Sequence, residues 1–422
     1  MTQSEPAFEK DRHIKYWKRC HDTYLPSPYT ASDSTRLMWA CFTYSALDIL
    51  YVPLDPEDAA IVRTWVLNLQ HPQGGFCGSP AHGHKGQTAD QGHANLAATF
   101  FALVLLAVVA EHGEAGADAY AGVNRQQTLS WLRQLQRDDG SFGQNMWDGQ
   151  PVGGRDTRHS YLASSVRWML RGDPGKGSTA EEEDIDVEAM IKHIRRGQTY
   201  DGGLAEASSH ESHAGYAYCS VAALSLLDRP LRSSDGTSHE AVLRGTSNRD
   251  HLLKFLADRQ FVYLAQDEEE EGVSHDAAEE NFIMAQLNSL NIDDSCEYGG
   301  FNGRCNKKAD TCYCWWAMGT LRMLDSGFDI SASPARRYLL EITQHRIGGF
   351  SKVAGAPPDL YHAYLGLAGL ALLGESGIKE FDVGLCCSTE TTAKIERARA
   401  GLIQRAEQDA ESEQEDRFWE QV

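Results

Sequence analysis

The sequence predicts an all-α protein in which helical hairpins repeat around a ring and close into an α/α barrel. Three observations carry this prediction. A glycine-rich turn recurs five times, a helix-length run of small and apolar residues follows each turn, and amphipathic segments separate one run from the next turn. Because strand signals are sparse, alternating inner and outer helices fit the repeat best.

The turns and the runs after them define the repeat. The turns are "PQGGFCG" from residue 72, "RDDGSFGQ" from 137, "TYDGGLAE" from 199, "EYGGFNGR" from 297 and "RIGGFSKV" from 346. The runs are "HANLAATFFALVLLAVV", "DTRHSYLASSVRWML", "SHAGYAYCSVAALSLL", "DTCYCWWAMGTLRML" and "DLYHAYLGLAGLALLG". Nearly apolar runs predict inner helices, and the amphipathic segments 128–137 and 333–345 predict outer ones. An open solenoid would give similar periodicity, but it needs polar capping repeats, and none is evident.

Two polar stretches, 171–186 and 228–281, interrupt the repeat and are interpreted as loops or insertions. Residues 1–387 are therefore predicted to form one barrel domain. The charged tail, 388–422, has a helix-forming composition with little apolar face, which predicts a surface helix or a tail.

Composition excludes several classes of protein. The chain has 60 acidic and 39 basic residues, and its net charge of -21 argues against nucleic acid as a partner. No apolar run approaches the roughly 20 residues that span a bilayer, and the N-terminus lacks the apolar core of a signal peptide. We therefore expect a cytoplasmic protein without stable membrane insertion. The ten cysteines lack the spacing of a disulfide scaffold, so free or metal-bound thiols are expected.

Candidate metal ligands stand at the start of the fourth apolar run. Asp310 and Cys312 precede and open that run, and His362 opens the next one, which would face the same end of a barrel. Carboxylate, thiolate and imidazole are ordinary zinc ligands, and a catalytic zinc keeps one position open for substrate. Asp310 could equally be a helix N-cap, and His362 a capping or surface residue. Cys312 and Cys314 form a C-x-C pair that lacks a matching second pair, so the residues alone leave these alternatives open.

Cationic and aromatic residues follow the same turns. Cations gathered near helix N-termini are typical of a phosphate or diphosphate site, whereas each one alone would be an ordinary surface ion pair. The cationic candidates are His213, Arg304, Lys307 and Lys352. Aromatic residues of the runs are core residues or, in a ring of apolar helices, the lining of a cavity for a long apolar ligand. They are Phe42, Phe100, Tyr161, Tyr216, Trp315, Trp316 and Tyr361.

Several of these motifs resemble those of one family. "GGFNGRCNKKADTCYCWW", "ESHAGYAYC", "DTRHSYLAS" and "DLYHAYLGLAGL", together with the GG turns, resemble the β subunits of protein prenyltransferases from about residue 11 to 385. The opening "DRHIKYWKRCHDTYLPSPYTASDSTRLMWACFTYSALDIL" is similar to the start of the type I geranylgeranyltransferase β subunit. The resemblance implies a barrel paired with a helical-repeat α subunit, one zinc ion and geranylgeranyl diphosphate. It also implies protein substrates that end in a CaaX sequence, usually with Leu last, such as small GTPases of the Rho, Rac and Rap type.

The resemblance also implies roles for individual residues. Asp310, Cys312 and His362 match the zinc ligands, with the fourth place left to the substrate cysteine. His213, Arg304, Lys307 and Tyr313 match residues that hold the diphosphate, and Gly215, Tyr216, Cys219 and Trp316 match the wall along the isoprenoid. The same segments also contain Ala214, Cys305, Asn306, Cys314 and Trp315, of which Cys305 and Cys314 receive no chemical role.

Further matches bear on the peptide and on specificity. Arg158 matches a residue near the peptide end of the cleft, and Asn95 and Ala97 fall near the pocket for the last CaaX residue, unless His93 takes that role. Lys352 stands where the farnesyl class has a magnesium-binding aspartate, so a reaction without a magnesium requirement is expected.

The lipid-length and peptide pocket is assigned to Met38, Phe42, Asn95, Ala97, Arg158, Tyr161 and Tyr361. Met38 aligns with a tryptophan of the farnesyl class and a threonine of the geranylgeranyl class, and Tyr361 is the aromatic residue of the farnesyl class. Farnesyltransferase or dual specificity is therefore the alternative within the family. A non-catalytic barrel protein would not need this set of matched residues. A terpene cyclase would need a "DxDD"-like motif, which the apolar runs lack.

Overall fold

The computed structural model describes residues 6–82, 94–111, 113–171, 184–231, 238–264, 296–326 and 330–421. Most of the predicted insertion 171–186 lies outside these residues, as do 232–237 and 265–281 of the predicted insertion 228–281, and His93. The helices in chain order are α1 (Lys10–Asp22), α2 (Ser27–Thr30), α3 (Arg36–Ile49), α4 (Pro56–Leu67), α5 (Leu96–Val108), α6 (Arg125–Gln134), α7 (Thr157–Leu170), α8 (Val187–Arg196), α9 (Ala214–Asp228), α10 (Glu240–Gly245), α11 (Arg249–Ala257), α12 (Thr311–Met323), α13 (Ala332–Arg337), α14 (Leu360–Leu372) and α15 (Thr389–Gln421). A π-helical segment, Tyr338–Thr343, continues α13.

Four small antiparallel hairpins accompany the helices in this part of the chain. Their strands are β1 (Phe76–Cys77), β2 (Ala94–Asn95), β3 (Asn145–Trp147), β4 (Gln150–Val152), β5 (Gln260–Val262), β6 (Gly299–Phe301), β7 (Phe381–Asp382) and β8 (Cys387–Ser388). The registers pair Phe76 with Asn95, Met146 with Pro151, Phe261 with Gly300 and Phe381 with Ser388.

Six inner helices form a closed ring. Helices α3, α5, α7, α9, α12 and α14 pack in that order, and α14 packs back on α3. Their backbone amides link neighbours: Ala214 N–H donates to the Gly303 carbonyl, and Thr311 N–H donates to the Lys352 carbonyl. Where the ring closes, between α14 and the start of the chain, the Leu360 N–H donates instead to the Tyr29 hydroxyl. The α/α barrel predicted from the repeat is confirmed.

The glycine-rich turns fix the positions of the outer helices, because their glycines approach the next outer helix closely. A Cβ on Gly140 would lie 2.0 Å from the Ala189 carbonyl oxygen, and one on Gly348 would lie 2.1 Å from that of Arg12. Both glycines also have positive φ, 87° and 88°, which other residues rarely adopt. Since Arg12 lies in α1, the last turn closes the outer ring on the first helix.

A glutamine before each turn holds the backbone at the start of the next outer helix, a device that we did not predict. The Gln136 side chain accepts from the Asp186 N–H and donates to the Asp186 carbonyl. Gln198 does the same at Asn248, and Gln260 at Ser331. Gln344 accepts from Glu9 N–H and donates to the Ala7 carbonyl, which again joins the last repeat to the first.

His13 lies where the last repeat contacts the first helix, and it should make the stability of the protein depend on pH. Its Nδ1 accepts from Gly349 N–H at 3.1 Å, and its Nε2 lies 3.0 Å from Gln344 Oε1. The imidazole is therefore neutral with its proton on Nε2, and burial lowers its pKa from 6.5 to about 4. Between these values the unfolded chain binds a proton that the folded chain does not. We expect this contribution to stability to be intact above pH 6.5 and to be lost as pH falls toward 4, by about 3 kcal/mol in total.

Urea unfolding of wild type and His13→Gln at several pH values would test this. The variant should lose part of the decline in unfolding free energy between pH 6.5 and 4. His251→Gln, at an exposed position of α11, is the control and should follow wild type. Parallel curves for wild type and His13→Gln would contradict the assignment.

Two parts of the fold differ from expectation. The predicted insertion 228–281 contains α10 and α11, whose Leu252, Phe255 and Leu256 are buried. The segment was interpreted as an insertion because charged residues surround the apolar positions that have helical spacing. The tail helix α15 is buried at its start, where Ile395 and Ala398 are inaccessible. Lys394 caps the end of α5 at the Val108 and Ala110 carbonyls, and α15 thereby covers the end of the barrel at which the inner helices finish.

Among the described residues, no helix combines the length and the apolar character needed to cross a bilayer.

Candidate active site

The inner helices begin at the opposite end of the barrel, where side chains cap their N-termini. Asn95 accepts from Ala98 N–H, Asp156 from Arg158 N–H, His213 from Gly215 N–H, Asp310 from Cys312 N–H and Asp359 from His362 N–H. Helix N-termini carry partial positive charge, so this end favours anionic ligands.

Three predicted ligands meet at this end. The ligand atoms of Asp310, Cys312 and His362 all lie within 4.8 Å of one another. The His362 Nε2 is 3.2 Å from Asp310 Oδ1. Both Asp310 and Cys312 are buried, and His362 lies at the edge of burial. The N-cap role that we left open for Asp310 is also real, since its Oδ1 accepts from Cys312 N–H at 2.9 Å.

Asp359 orients His362 and was missed in the sequence. Its Oδ2 lies 2.6 Å from His362 Nδ1, while its Oδ1 accepts from the His362 N–H at 2.9 Å. This contact fixes the proton on Nδ1 and leaves Nε2 to face Asp310 and Cys312. An acid at the N-cap, three residues before a candidate histidine ligand, was the available signal.

The electrostatics of the cluster favour a cation. Burial opposes protonation of His362, but hydrogen bonds to Asp310 and Asp359 outweigh it and raise its pKa to about 9. Burial, followed by the Asp310 carboxylate, raises the pKa of the Cys312 thiol well above its usual range. In the absence of a metal, the protonated Nε2 of His362 therefore faces the Asp310 carboxylate, a place that a metal cation can take. The carboxylate, thiol and imidazole donors are those of a zinc site with an open position. The residues fit the predicted metal.

The predicted cations lie beside this cluster. Lys352 Nζ is 3.8 Å from Asp310 Oδ2, and its side chain is 60% exposed and can reach a ligand. Arg304 and Lys307 lie on the turn that precedes α12, in which Asn306 has φ of 59°. Arg304 is paired with Glu211 at 2.5 Å, an acid that the prediction did not include.

His213 and Tyr313 form a hydrogen-bonded pair between α9 and α12. The His213 Nδ1 accepts from Gly215 N–H, so its proton is on Nε2, which lies 3.0 Å from the Tyr313 hydroxyl. Burial, with Arg304 nearby, lowers the pKa of His213 to about 4, so the ring is neutral at pH 7. The Tyr313 hydroxyl hydrogen is thus left for another acceptor. Gly303 leaves room for the Tyr313 ring, because a Cβ at this position would lie 2.3 Å from it.

The residues predicted to lie near the peptide are at the same end of the barrel, where the inner helices begin. Arg158 binds Asp156 at 2.8 Å and sits over the Tyr216 ring, whose hydroxyl donates to Glu206. Asn95 uses its side chain to cap α5, and Ala97 is half-buried in the first turn of that helix.

Aromatic side chains of the inner helices extend from this end toward the interior of the barrel. Phe42 is stacked on Tyr364 at 4.9 Å and lies 6.4 Å from Tyr361. Trp316 contacts Tyr218 at 4.8 Å, and Tyr218 was not among the predicted residues. The remaining predicted members of this wall are Met38, which is half-buried, and Phe100, Tyr161 and Cys219, which are buried.

Four residues of the predicted segments lie away from this surface. Trp315 is fully buried against Tyr218 and Phe381, and Cys314 is fully buried beside Gly369 of α14. Ala214 is fully buried at the start of α9, and Cys305 is exposed and accepts from Arg259. Trp315 and Cys314 pack between helices because only some positions of a helix face the ring interior, whereas Cys305 lies on the turn before α12.

Comparison with known proteins agrees with this fold. The model of the prenyltransferase α-α toroid domain matches residues 8–387. The geranylgeranyl transferase type-1 subunit beta of Arabidopsis thaliana is 30% identical over 399 residues, which cover 89% of this chain and 88% of that protein. The protein farnesyltransferase subunit beta of Pyricularia oryzae is 26% identical over 388 residues, with 87% and 63% coverage.

A solved structure shares the architecture. The protein geranylgeranyltransferase-I of Candida albicans, complexed with GGPP, superposes with a TM-score of 0.71 at 23% identity, covering 93% of this chain and 99% of that one. The family model spans the whole barrel, and the Asp310, Cys312 and His362 cluster lies at the end where its inner helices begin. The chain therefore belongs to the family with the prenyltransferase α-α toroid domain and is a prenyltransferase β subunit.

Proposed function

We propose that the chain is the catalytic β subunit of a zinc-dependent protein geranylgeranyltransferase type I. In this proposal it pairs with a separate α subunit and transfers a geranylgeranyl group from geranylgeranyl diphosphate to the cysteine of a C-terminal CaaX sequence, often with Leu last. The observation that carries the proposal is the Asp310, Cys312 and His362 cluster with Lys352 Nζ 3.8 Å from Asp310. It joins a site for a thiolate to a site for a diphosphate.

The zinc would be held by Asp310, Cys312 and His362, with Asp359 fixing the His362 ring. When bound, zinc lowers the pKa of a coordinated thiol, so that the substrate cysteine would be a thiolate at neutral pH. The transfer is a displacement: a sulfur–carbon bond forms at C1 of the prenyl group as the carbon–oxygen bond breaks, and diphosphate leaves with the electron pair.

The residues beside the cluster suit the leaving group. Arg304, Lys307 and Lys352 supply positive charge, and the start of α9 lies against the turn before α12, where the Ala214 N–H donates to the Gly303 carbonyl. Because His213 Nε2–H faces the Tyr313 oxygen, the Tyr313 hydroxyl can donate to a diphosphate oxygen. The Glu211 carboxylate now on Arg304 would be exchanged for diphosphate.

The direct experiment is co-expression with candidate α subunits and a transfer assay. We expect one zinc per heterodimer and geranylgeranylation of a peptide ending in Cys-a-a-Leu, with no product when serine replaces the cysteine. A heterodimer that lacks zinc, or that modifies neither a Leu-ending nor a Met-ending peptide, would contradict the proposal.

Lys352 should remove any requirement for magnesium. Its ammonium group would supply the charge that a divalent cation otherwise brings to the diphosphate, so the wild-type rate should not rise with magnesium. Lys352→Asp should lower kcat by about 10²-fold and make the rate depend on magnesium, since a carboxylate would replace the cation. Lys308→Asp, on the exposed turn before α12, is the matched control and should leave the rate independent of magnesium. A strong activation of the wild-type enzyme by magnesium, with zinc saturated, would count against this role.

Farnesyltransferase activity is the second candidate. Tyr361 favours it, because the resemblance associates this residue with the farnesyl class, whereas Lys352 and the N-terminal segment oppose it. Met38 matches neither the tryptophan of the farnesyl class nor the threonine of the geranylgeranyl class. Methionine is flexible and slimmer than tryptophan, so a twenty-carbon group should still fit. The relative preference for the two donors decides between these candidates.

A further inference from the structure

Arg259, between α11 and β5, is a buried cation with an unused hydrogen-bond donor. The residue is 4% exposed. Its Nε donates to the Phe255 carbonyl at 3.0 Å, and its Nη2 donates to the Cys305 sulfur at 3.3 Å. Its Nη1 is buried and has no hydrogen-bond partner among the residues that the structure describes. Since a buried guanidinium N–H is costly to leave without an acceptor, this group suits a polar or anionic substituent on the Cys305 sulfur.

The sulfur that meets this guanidinium group is accessible to solvent. The structure describes all ten cysteines of the chain, and Cys305 is the one that is exposed. Its side chain therefore faces solvent on one side and a buried cation on the other. Thiols that solvent reaches and that lie beside a cation are the ones that oxidants modify selectively.

A second unpartnered group belongs to the same turn. Asn302 spans the turn, because its Nδ2 donates to the Lys307 carbonyl at 2.9 Å, and its backbone N–H donates to the Arg259 carbonyl at 3.1 Å. Its Oδ1 is buried and, within the described chain, accepts no hydrogen bond. Arg259 and the turn thus combine a buried donor, a buried acceptor and an exposed sulfur. A sulfenic acid, whose hydroxyl both accepts and donates, matches this pair of groups.

The turn also carries the cations that the proposed function assigns to the diphosphate. Cys305 lies between Arg304 and Lys307 in sequence, and the turn is fixed at Gly303, whose carbonyl accepts from the Ala214 N–H. A change of charge at position 305 therefore acts where the two cations are held. An oxidised sulfur carries oxygen acceptors that a thiol lacks, so it competes with diphosphate for these cations.

We propose that Cys305 is a peroxide-sensitive thiol and that its oxidation to a sulfenic acid, stabilised by Arg259, weakens binding of the prenyl diphosphate. This inference rests on the proposed function, because it assigns Arg304 and Lys307 to the diphosphate. The modification is a regulatory one, since Cys305 itself has no part in prenyl transfer.

The oxidation consumes one hydrogen peroxide for each Cys305. The thiolate form attacks one peroxide oxygen, a sulfur–oxygen bond forms as the oxygen–oxygen bond breaks, and the departing hydroxide takes up a proton to become water. The sulfur loses two electrons, which reduce the peroxide. A dithiol such as dithiothreitol returns the sulfenic acid to the thiol, releases water and is itself oxidised to a disulfide.

The first test identifies the oxidised cysteine in the heterodimer. The protein is treated with hydrogen peroxide and dimedone, which labels sulfenic acids, and labelled cysteines are identified by tandem mass spectrometry. We expect the label at Cys305 and little at Cys296, which is half-buried. Arg259→Gln, which removes the guanidinium group, should lose most of the label at Cys305; if this variant does not fold, the comparison within wild type decides alone. No label at Cys305, or equal labelling of the two cysteines, would overturn the proposal.

The second test measures equilibrium binding of radiolabelled geranylgeranyl diphosphate. Peroxide should raise the Kd of the wild-type heterodimer by about 10-fold, the effect of weakening one charge-assisted hydrogen bond, and dithiothreitol should restore it. Cys305→Ser should begin at the wild-type Kd and not respond to peroxide, whereas Cys296→Ser should respond as wild type does. Cys305→Asp, which carries a permanent negative charge, should raise KM for the donor without peroxide and leave kcat near wild type.

Two results of this second test would overturn the inference. If Cys305→Ser loses donor binding in peroxide as wild type does, the sensitive group is elsewhere, and loss of zinc at the same dose would identify Cys312 as that group. Labelling of Cys305 with an unchanged Kd would remove its regulatory role. If the heterodimer transfers neither prenyl group, the proposed function fails, whereas labelling and equilibrium binding still decide whether Cys305 is oxidised and whether this weakens diphosphate binding.

Discussion

Cys312→Ala should abolish zinc binding and lower the rate of prenyl transfer by about 10³-fold, equivalent to about 4 kcal/mol of transition-state stabilisation. In the proposed site the substitution leaves two ligands, Asp310 and His362, which are too few to hold zinc in a tetrahedral site. Zinc per heterodimer, measured by mass spectrometry of the metal, and the single-turnover rate are the two readouts.

Cys314→Ala is the matched control for this prediction. Cys314 is on the same helix, two residues further on, and is fully buried beside Gly369 rather than facing His362. Its replacement should lower stability modestly and leave zinc content and rate close to wild type. If Cys312→Ala retains one zinc, or if Cys314→Ala loses it, the ligand assignment is wrong.

Asp359→Asn should weaken zinc binding by about 10-fold to 100-fold, although Asp359 does not touch the metal site itself. The asparagine can still cap α14, because asparagine is as good an N-cap as aspartate. It lacks the charge that holds the Nδ1 proton of His362, at 2.6 Å in the wild type. The ring should therefore become a poorer donor at Nε2 and lose its fixed orientation.

A competition titration with a zinc chelator measures this loss directly. Asp186→Asn is the control, since Asp186 caps the outer helix α8 in the same manner and is remote from the cluster. It should leave zinc affinity unchanged. Equal losses in both variants would mean that capping, rather than orientation of His362, explains the effect.

The barrel was predictable because its determinants are local. Each glycine-rich turn with its apolar run predicts one helical hairpin. The contrast between apolar runs and amphipathic segments distinguishes the inner from the outer helices. The glutamines that join the repeats were not predictable in this way: Gln344 bonds to Ala7 and Glu9, more than 330 positions away. The buried start of α15 was hidden as well, because Lys394 and Arg399 there bind carbonyls at the ends of inner helices and are buried despite their charge.

The candidate site was predicted in its ligands and less well in its surroundings. Motif resemblance supplied Asp310, Cys312 and His362, and the structure brings their ligand atoms together. Asp359 and Glu211 were missed because each acts through a second residue, His362 or Arg304, and carries no motif of its own. Trp315 and Cys314 were included because they are adjacent in sequence to candidate site residues. Their positions on α12 direct both side chains into the packing between helices.

The central claim is that this β subunit transfers a geranylgeranyl group. The most direct measurement is the ratio of kcat/KM for geranylgeranyl diphosphate to that for farnesyl diphosphate, determined with the zinc-loaded heterodimer and a peptide ending in Cys-a-a-Leu. We predict a ratio well above one, because methionine at position 38 is slim enough for the longer donor and Lys352 supplies positive charge without magnesium. A ratio below one, repeated with a peptide ending in Met, would identify a farnesyltransferase instead.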